Sequence, residues 1–216
     1  MKKLLIGVLS LGALASLASC ELPGSDPLTE EQWAVAKHSQ VKLYDDMDNF
    51  TIETSGAGAK AIYHVVGGVI EAVGTHPTYA KGTRDASGSL SYVITYYDDS
   101  TGTAPGYYDT EGYSQSLLDH SAFDNLIGPM FYAAAIDGIE YDEVVWKAKK
   151  SGRYVASAIL DAELDLNITA YITEQLLIDE FVVTSEGASY TVKIKDVGTT
   201  GAITIPEVLG HKALAD

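Results

Sequence analysis

The most regular hydrophobic pattern in the chain lies between Tyr154 and Thr173. The even positions there are apolar, and they are Ala156, Ala158, Leu160, Ala162, Leu164, Leu166, Ile168, Ala170 and Ile172. The odd positions include the polar residues Ser157, Asp161, Glu163, Asp165, Asn167 and Thr169. A period of two residues is typical of antiparallel strands with one face in a core and the other in water. Together with the strand-like segments 176–186 and 189–198, the pattern predicts a meander.

Short segments rich in β-branched and aromatic residues also fill the chain from Asn49 onward. Clusters of Gly, Asp and Ser separate these segments, which are residues 50–54, 59–66, 69–74 and 89–97. Such segments predict a second set of antiparallel strands. For residues 200–209 we predict a short final strand that ends at Pro206, because proline has no amide hydrogen for a sheet ladder.

The segment from Leu28 to Asp46 follows a helical pattern instead. Thr29 and Gln32 have the spacing of a capping box, in which each side chain bonds the backbone amide of the other residue. Leu28 and Trp33 stand where a hydrophobic staple would pack across the start of a helix. We therefore predict a helix from this point to about Asp46.

Residues 112–137 show a second, broken helical pattern. Its apolar positions are interrupted at Gly128-Pro129. Proline in a helix interior removes one backbone hydrogen bond and bends or ends the helix. The pattern predicts two short helices, or one helix that is kinked at the proline.

The N-terminus has the pattern of an export signal. Two lysines precede an apolar run over residues 4–17, which is shorter than the roughly 20 residues that a membrane span needs. Leu17-Ala18-Ser19-Cys20 resembles the lipobox of bacterial lipoproteins in all four positions. In such precursors the cysteine is diacylated and becomes the new N-terminus, and two acyl chains anchor a protein stably. An ordinary secretory signal and an uncleaved anchor are the alternatives.

These features predict a signal peptide over residues 1–19, a lipid on Cys20, a tether over residues 20–28 and one domain over residues 29–216. The protein is then expected in the cell envelope, outside the cytoplasm and held at the membrane by its lipid. Both a Gram-positive surface and a Gram-negative periplasm fit this location.

Composition narrows the function classes further. Of 216 residues, 14 are Lys or Arg and 30 are Asp or Glu, which gives a formal net charge of −16. Such acidity argues against nucleic-acid binding, which needs a basic face. It also predicts that the domain is held off an anionic membrane surface. The single cysteine excludes a disulfide framework and a cysteine-based zinc cluster.

Candidate chemistry in the mature chain is sparse. Asp161, Glu163 and Asp165 would share one strand face, where a calcium ion or, more simply, solvent would meet them. The run 45–48 lacks the glycine and glutamate of a calcium loop, so it predicts a polar helix end. The five histidines have no zinc-ligand spacing, and the adjacent Asp119-His120-Ser121 cannot form a triad. We expect no catalytic residues, no metal and no cofactor.

Four short motifs, together with the lipobox, carry a family resemblance. They are TEEQW at 29–33, DNFTI at 48–52, SGRYVA at 151–156 and AITIPEVL at 202–209. In this order they resemble the bacterial lipoprotein-carrier superfamily, which includes the Lol-type carriers and the mycobacterial lipid-binding lipoproteins. The resemblance implies an α+β fold, in which a curved antiparallel sheet forms an incomplete barrel around an N-terminal helix and short central helices. It also implies a non-enzymatic protein that holds an acyl chain or another apolar ligand in its concave face.

A cluster of tyrosines suggests an alternative. Tyr96, Tyr97, Tyr107, Tyr108 and Tyr113 lie close together in the sequence. Tyrosine combines apolar area with a hydroxyl group at low entropic cost, which suits recognition surfaces. A cell-surface module that binds a protein or a glycan through a tyrosine-rich face is therefore the second hypothesis.

Overall fold

The computed structural model describes residues 27–212, apart from 47, 57, 88–89, 101, 113–115 and 118–119. The predicted signal peptide, Cys20 and the tether up to residue 26 therefore lie outside the described residues. Neither helix of the part described is long and apolar enough to cross a membrane.

The chain contains two α-helices, two short 3-10 turns and twelve strands within the described ranges. The helices are α1 (Glu30–Asp46) and α2 (Asp124–Asp137), and the 3-10 turns are Ser121–Phe123 and Tyr141–Glu143. The first six strands are β1 (Asn49–Gly56), β2 (Ala59–Val66), β3 (Val69–Ala72), β4 (Thr78–Arg84), β5 (Leu90–Asp98) and β6 (Gly106–Asp109). The others are β7 (Val145–Lys150), β8 (Arg153–Asp161), β9 (Leu166–Ile172), β10 (Ile178–Ser185), β11 (Ala188–Lys195) and β12 (Val208–His211).

All twelve strands belong to one sheet in the order β12-β6-β5-β4-β3-β2-β1-β11-β10-β9-β8-β7. Neighbours pair antiparallel, except that β12 runs parallel to β6. The two predicted meanders meet where β1 pairs with β11. The sheet is curved and does not close, since β12 and β7 remain at its two edges. The α+β class is confirmed, and the architecture is consistent with an incomplete barrel.

The start of α1 follows the predicted capping box. The Thr29 amide donates to the Gln32 side-chain oxygen at 2.9 Å, and the Gln32 amide donates to the Thr29 hydroxyl at 3.2 Å. Leu28 and Trp33 are both buried, and the Trp33 indole donates to the Ile139 carbonyl at 3.1 Å. The capping box thus fixes where α1 begins, while the tryptophan attaches α1 to the segment that follows α2.

The second helix is one continuous element, as in the second of the two predicted arrangements, but it begins later than predicted. α2 begins at Asp124, directly after a 3-10 turn, and it continues through Gly128 and Pro129 to Asp137 as one element. The helix is therefore neither divided nor ended at Pro129. The proline removes only the bond to the Asn125 carbonyl, and another residue donates to that carbonyl, as described below.

The alternating pattern of the last third is confirmed in β9, where Ile168, Ala170 and Ile172 are buried. It is not continuous, because residues 162–165 form a turn between β8 and β9. The expectation that Asp161, Glu163 and Asp165 share one strand face is therefore wrong. The Asp161 carboxylate instead accepts the backbone amides of residues 163 and 164, as is typical of an Asx turn.

The two helices pack against the inner face of the sheet and cover most of that face. Fully buried side chains from the two halves of the sheet meet there, among them Phe50, Ile52, Ile94, Phe181 and Val192. On α1 the stripe of Trp33, Ala36, Gln40 and Tyr44 faces this core. The inner face is thus largely a packed core rather than an open cavity.

The final strand lies later in the chain than predicted. Residues 201–207 are not in a strand, and β12 begins after Pro206, at Val208. β12 is attached to β6 and β5 by side chains, since His211 contacts the Asp109 carboxylate and the Lys212 ammonium donates to Asp98. The pKa of Asp98 is lowered to about 2, chiefly by Lys212 and further by two donors of Ser100.

We predict that Lys212→Met raises the pKa of Asp98 toward its usual range, without reaching it because Ser100 still donates. A carboxyl group with a lowered pKa in the fold stabilises that fold above its unfolded pKa, near 3.9. This contribution is lost as the pH falls through the folded value, so we expect β12 to loosen between about pH 4 and pH 2. NMR titration of Asp98 is the measurement, with Lys195→Met as the control. An unchanged Asp98 pKa in Lys212→Met would contradict the assignment.

Candidate functional site

A cleft of about 280 Å³ opens between α2 and one end of the sheet. Its apolar lining comes from Ala59, Tyr132, Leu166, Val183, Ala188 and Tyr190. Its polar lining comes from Asn125, Ser185 and Ser189, and the backbone of Gly56 completes the wall. The volume is close to the lower end of the range for ligand pockets, about 300 Å³. An apolar wall with a few polar groups is the composition that such pockets usually have.

Two glycines allow Tyr190 to form a wall of this cleft. A side chain at Gly56 would begin 2.8 Å from the Ser189 carbonyl and 2.9 Å from the Tyr190 ring, so only glycine fits there. A side chain at Gly128 would begin 3.2 Å from the Tyr190 hydroxyl. The strand β1 and the helix α2 therefore both approach Tyr190 of β11 closely, each at a position without a side chain.

The Tyr190 hydroxyl explains why α2 continues through Pro129. It donates to the Asn125 carbonyl at 3.0 Å, and this is the carbonyl that the amide of residue 129 would bond in an ordinary helix. Tyr190 thus replaces the hydrogen bond that the proline removes. Burial raises the pKa of Tyr190 to about 12, although the nearby Thr54 hydroxyl lowers it slightly. The hydroxyl therefore remains a donor across the physiological range.

Another void on the inner face is much smaller. A second void of about 10 Å³ lies beneath Trp33 and is lined by apolar side chains such as Ile139 and Ile168. That volume is about the minimum for one water molecule. Of these two openings, the cleft beside α2 is the one large enough for part of an apolar ligand.

Two aspartates and one histidine that the sequence singled out have structural roles. Asp45 and Asp46 end α1, as the sequence indicated for a polar helix end. The His120 ring accepts the Ala122 amide at 3.2 Å and caps the 3-10 turn before α2. Asp119, which precedes His120 in the run Asp119-His120-Ser121, lies outside the described residues.

One cluster of potential metal ligands could not be found by sequence spacing. Asp109, Glu111 and His211 bring their ligand atoms within 4.8 Å of one another. His211 comes from β12, about a hundred residues away, so only the parallel pairing with β6 creates the cluster. Each ring nitrogen of His211 faces a different carboxylate, with Glu111 at 3.7 Å. This arrangement attaches β12 to β6 through side chains, at a half-buried to exposed position.

The tyrosines do not form one face. Tyr96 and Tyr108 lie opposite each other in the β5–β6 register, and so do Tyr97 and Tyr107. Because side chains alternate along a strand, the first pair lies on the face of the buried Ile94 and the second on the outer face. On the outer face the His76 ring stacks on Tyr97 at 4.0 Å. Tyr113 lies outside the described residues. The four other tyrosines of the cluster are therefore divided equally between the two faces.

No protein-family model matches the chain, and no curated protein matches it in sequence. Among solved structures, LprF from Mycobacterium bovis is similar over 84% of this chain and 99% of that chain, with a TM-score of 0.43 and 8% identity. The likeness is distant at these values, so nothing about a ligand is carried over from LprF.

We predict that Tyr190→Phe destabilises the protein by about 1 kcal/mol, because the Asn125 carbonyl then has no donor. In a Pro129→Ala background the alanine amide restores the helical hydrogen bond. The same tyrosine substitution should then destabilise by at least about 0.5 kcal/mol less, as a double-mutant cycle measures. Urea unfolding provides the free energies, and Tyr171→Phe in β9 is the control. Equal effects in both backgrounds would show that Tyr190 does not compensate for Pro129.

Proposed function

We propose that this protein is an exported, lipid-anchored, non-enzymatic lipoprotein that binds an acyl chain or another apolar ligand. The binding site is the cleft between α2 and the ends of β1, β10 and β11. The observation that carries the proposal is the open, largely apolar cleft beside α2. Its ligand would be inserted from one end of the incomplete barrel.

Burial of apolar surface supplies the binding energy in this proposal. Each methylene group that leaves water contributes about 0.8 kcal/mol, and an acyl chain is a row of such groups. Val183 and Leu166 offer aliphatic contacts on the sheet side, while Tyr132 and Tyr190 offer ring faces. These two rings lie 6.3 Å apart, so they form a continuous aromatic wall.

The lining of the cleft favours binding over catalysis. Its only titratable side chains are Tyr132 and Tyr190, and the second is a hydrogen-bond donor to the helix backbone. General acid–base or nucleophilic catalysis needs a group poised near neutral pH beside its partner. Burial raises the pKa of Tyr190 further above neutral pH, so this hydroxyl is less suited to such catalysis. These features support a binding protein without enzymatic activity.

The alternative, recognition of a protein or glycan through tyrosines, has weaker support. The outer-face group of Tyr79, Tyr97, Tyr107 and His76 is aromatic, but its members pack mainly on one another. Tyr79 is only 6% exposed, and His76 covers one face of Tyr97. Tyr79 therefore offers little free area to a partner, and one face of Tyr97 is covered, whereas the cleft is open to solvent.

The test of ligand binding uses the mature chain from residue 20 with Cys20→Ser, purified without detergent. Native mass spectrometry should detect a co-purified apolar adduct that organic extraction removes. Ala188→Trp places an indole in the cleft from an exposed position, so we expect the adduct to be lost while the unfolding temperature changes little.

Ala148→Trp in β7 is the matched control, because Ala148 is also an exposed strand alanine but does not line the cleft. This variant should retain the adduct. A mass without adduct that stays unchanged after incubation with a phospholipid and fatty-alcohol panel would contradict ligand binding. Equal loss of the adduct in Ala188→Trp and Ala148→Trp would contradict binding in the cleft.

The lipid anchor has a separate test. The full precursor should fractionate with membranes, and Cys20→Ser should release the protein into the soluble fraction, because no other residue carries a thiol for acylation. Metabolic labelling with a palmitate analogue checks the same substitution, and Ser19→Ala should still be labelled. Membrane association that survives Cys20→Ser would show that the lipobox interpretation is wrong.

A further inference from the structure

The cleft beside α2 crosses five neighbouring strands of the sheet. Its lining residues come from β2, β1, β11, β10 and β9, which are consecutive in the sheet order. Neighbouring strands lie about 4.8 Å apart, so the four steps between them span about 19 Å. α2 runs across the same strands from β11 toward β10. Near its start the Tyr190 hydroxyl of β11 donates to the Asn125 carbonyl, and two turns later the Tyr132 ring lies 6.4 Å from a ring of β10.

The two ends of the cleft differ in the size of their side chains. At the end formed by β2, β1 and β11 the lining consists of Ala59, Gly56 and Ala188. At the end formed by β10 and β9 it includes Val183 and Leu166, which are larger and aliphatic. Small side chains leave room for the wider part of a ligand, whereas aliphatic ones offer contact area to a hydrocarbon chain. The small-residue end and the aliphatic end therefore suit different parts of one molecule.

The hydrogen bonds of the polar lining residues distinguish one free group. At the aliphatic end the Ser185 hydroxyl already donates to the Leu164 carbonyl at 2.9 Å. In the middle the Tyr190 hydroxyl already donates to α2. The Ser189 side chain points to the other face of the sheet, because successive side chains alternate along a strand. At the small-residue end, the Asn125 side-chain amide forms no hydrogen bond with any residue that the structure describes.

Helix geometry directs this amide toward the cleft. Asn125, Gly128 and Tyr132 follow one another at steps of three and four residues, so they share one face of α2. A side chain at Gly128 would begin 3.2 Å from the Tyr190 hydroxyl, so this is the face that meets β11. Asn125 lies one turn earlier on that face, where it lines the cleft and is half-buried. A ligand in the cleft can therefore reach its amide without any movement of the helix.

We propose that the ligand is an uncharged amphiphile with one aliphatic chain, which lies across the strands with its polar group at Asn125 and its chain toward Val183 and Leu166. This inference rests on the proposed function and specifies the ligand class and its direction in the cleft. An amide offers two donors and an acceptor, so it can bond a hydroxyl or a carbonyl group. The volume of the cleft, close to the lower end of the range for ligand pockets, suits a single chain.

The charge of the cleft supports an uncharged ligand. None of the residues that line it is Lys, Arg, His, Asp or Glu. A charged headgroup that entered the cleft would lose hydration without gaining a counter-ion, which costs free energy. A hydroxyl group loses less hydration, and the Asn125 amide replaces part of it.

The test compares three probes with the same chain length, which are decanol, decanoate and decyltrimethylammonium. The mature chain from residue 20 with Cys20→Ser is titrated with each probe by calorimetry. We expect decanol to bind at least about threefold more tightly than either charged probe, because only its polar group finds a partner in the cleft.

Asn125→Ala tests the residue itself. Alanine removes the amide and is a better helix former than asparagine, so we expect an equal or higher unfolding temperature without ligand. The affinity for decanol should fall roughly 3- to 10-fold, which corresponds to one hydrogen bond. Gln175→Ala, which removes an exposed amide at a turn outside the cleft, is the matched control and should change neither quantity.

The direction of the ligand has its own measurement, which needs no variant of the cleft. Intermolecular NOEs to decanol should connect its hydroxyl-bearing methylene group with Asn125 and Ala59. They should connect its terminal methyl group with Val183 and Leu166. The opposite orientation, with the hydroxyl end beside Tyr132, would overturn the inference.

The outcomes separate this inference from the proposed function. If decanol binds in the cleft but Asn125→Ala does not weaken it, recognition by the amide is overturned while the apolar cleft stands. If decanoate or decyltrimethylammonium binds most tightly, the ligand class is wrong. If none of the three probes binds, both proposals fail.

Discussion

The pairing of β1 with β11 is the constraint on which the rest of this structure depends. It joins a strand that follows the first helix to one almost 140 residues later, and six residue pairs lie in continuous antiparallel register, from Thr51↔Lys195 to Gly56↔Tyr190. Without it there would be two separate meanders, each with one apolar face exposed. With it, twelve strands share one inner face, and two helices suffice to cover most of that face.

The same pairing creates the cleft. At the last pair of the ladder, Gly56 lets β11 approach β1 so closely that the Tyr190 side chain extends toward α2. There the tyrosine donates to the carbonyl that Pro129 leaves without a partner. The glycine and proline in α2 are therefore not helix breakers in this fold. They form a docking point for a strand residue, and the space left beside that point is the cleft.

Several polar groups of the described interior are hydrogen-bonded to the backbone, among them the Trp33 indole and the hydroxyls of Tyr63 and Tyr190. Four buried side chains have polar atoms without a hydrogen-bond partner among the described residues, and they are Gln40, Tyr44, Tyr92 and Trp146. A buried polar atom without a partner costs free energy in the folded state, and ordered water is the usual partner where the protein supplies none.

Local interactions in the sequence determined the beginning of α1, the positions of most strands and the apolar face of β9. Capping, staple contacts and side-chain alternation act over a few residues, so a single sequence displays them. The tertiary structure alone decided the continuity of α2, the place of β12 and the bonds made by Tyr190 and His211. Each of these depends on a partner some 65 to 100 residues distant. No short pattern records such a partner, because it is the folded sheet that brings the two segments together.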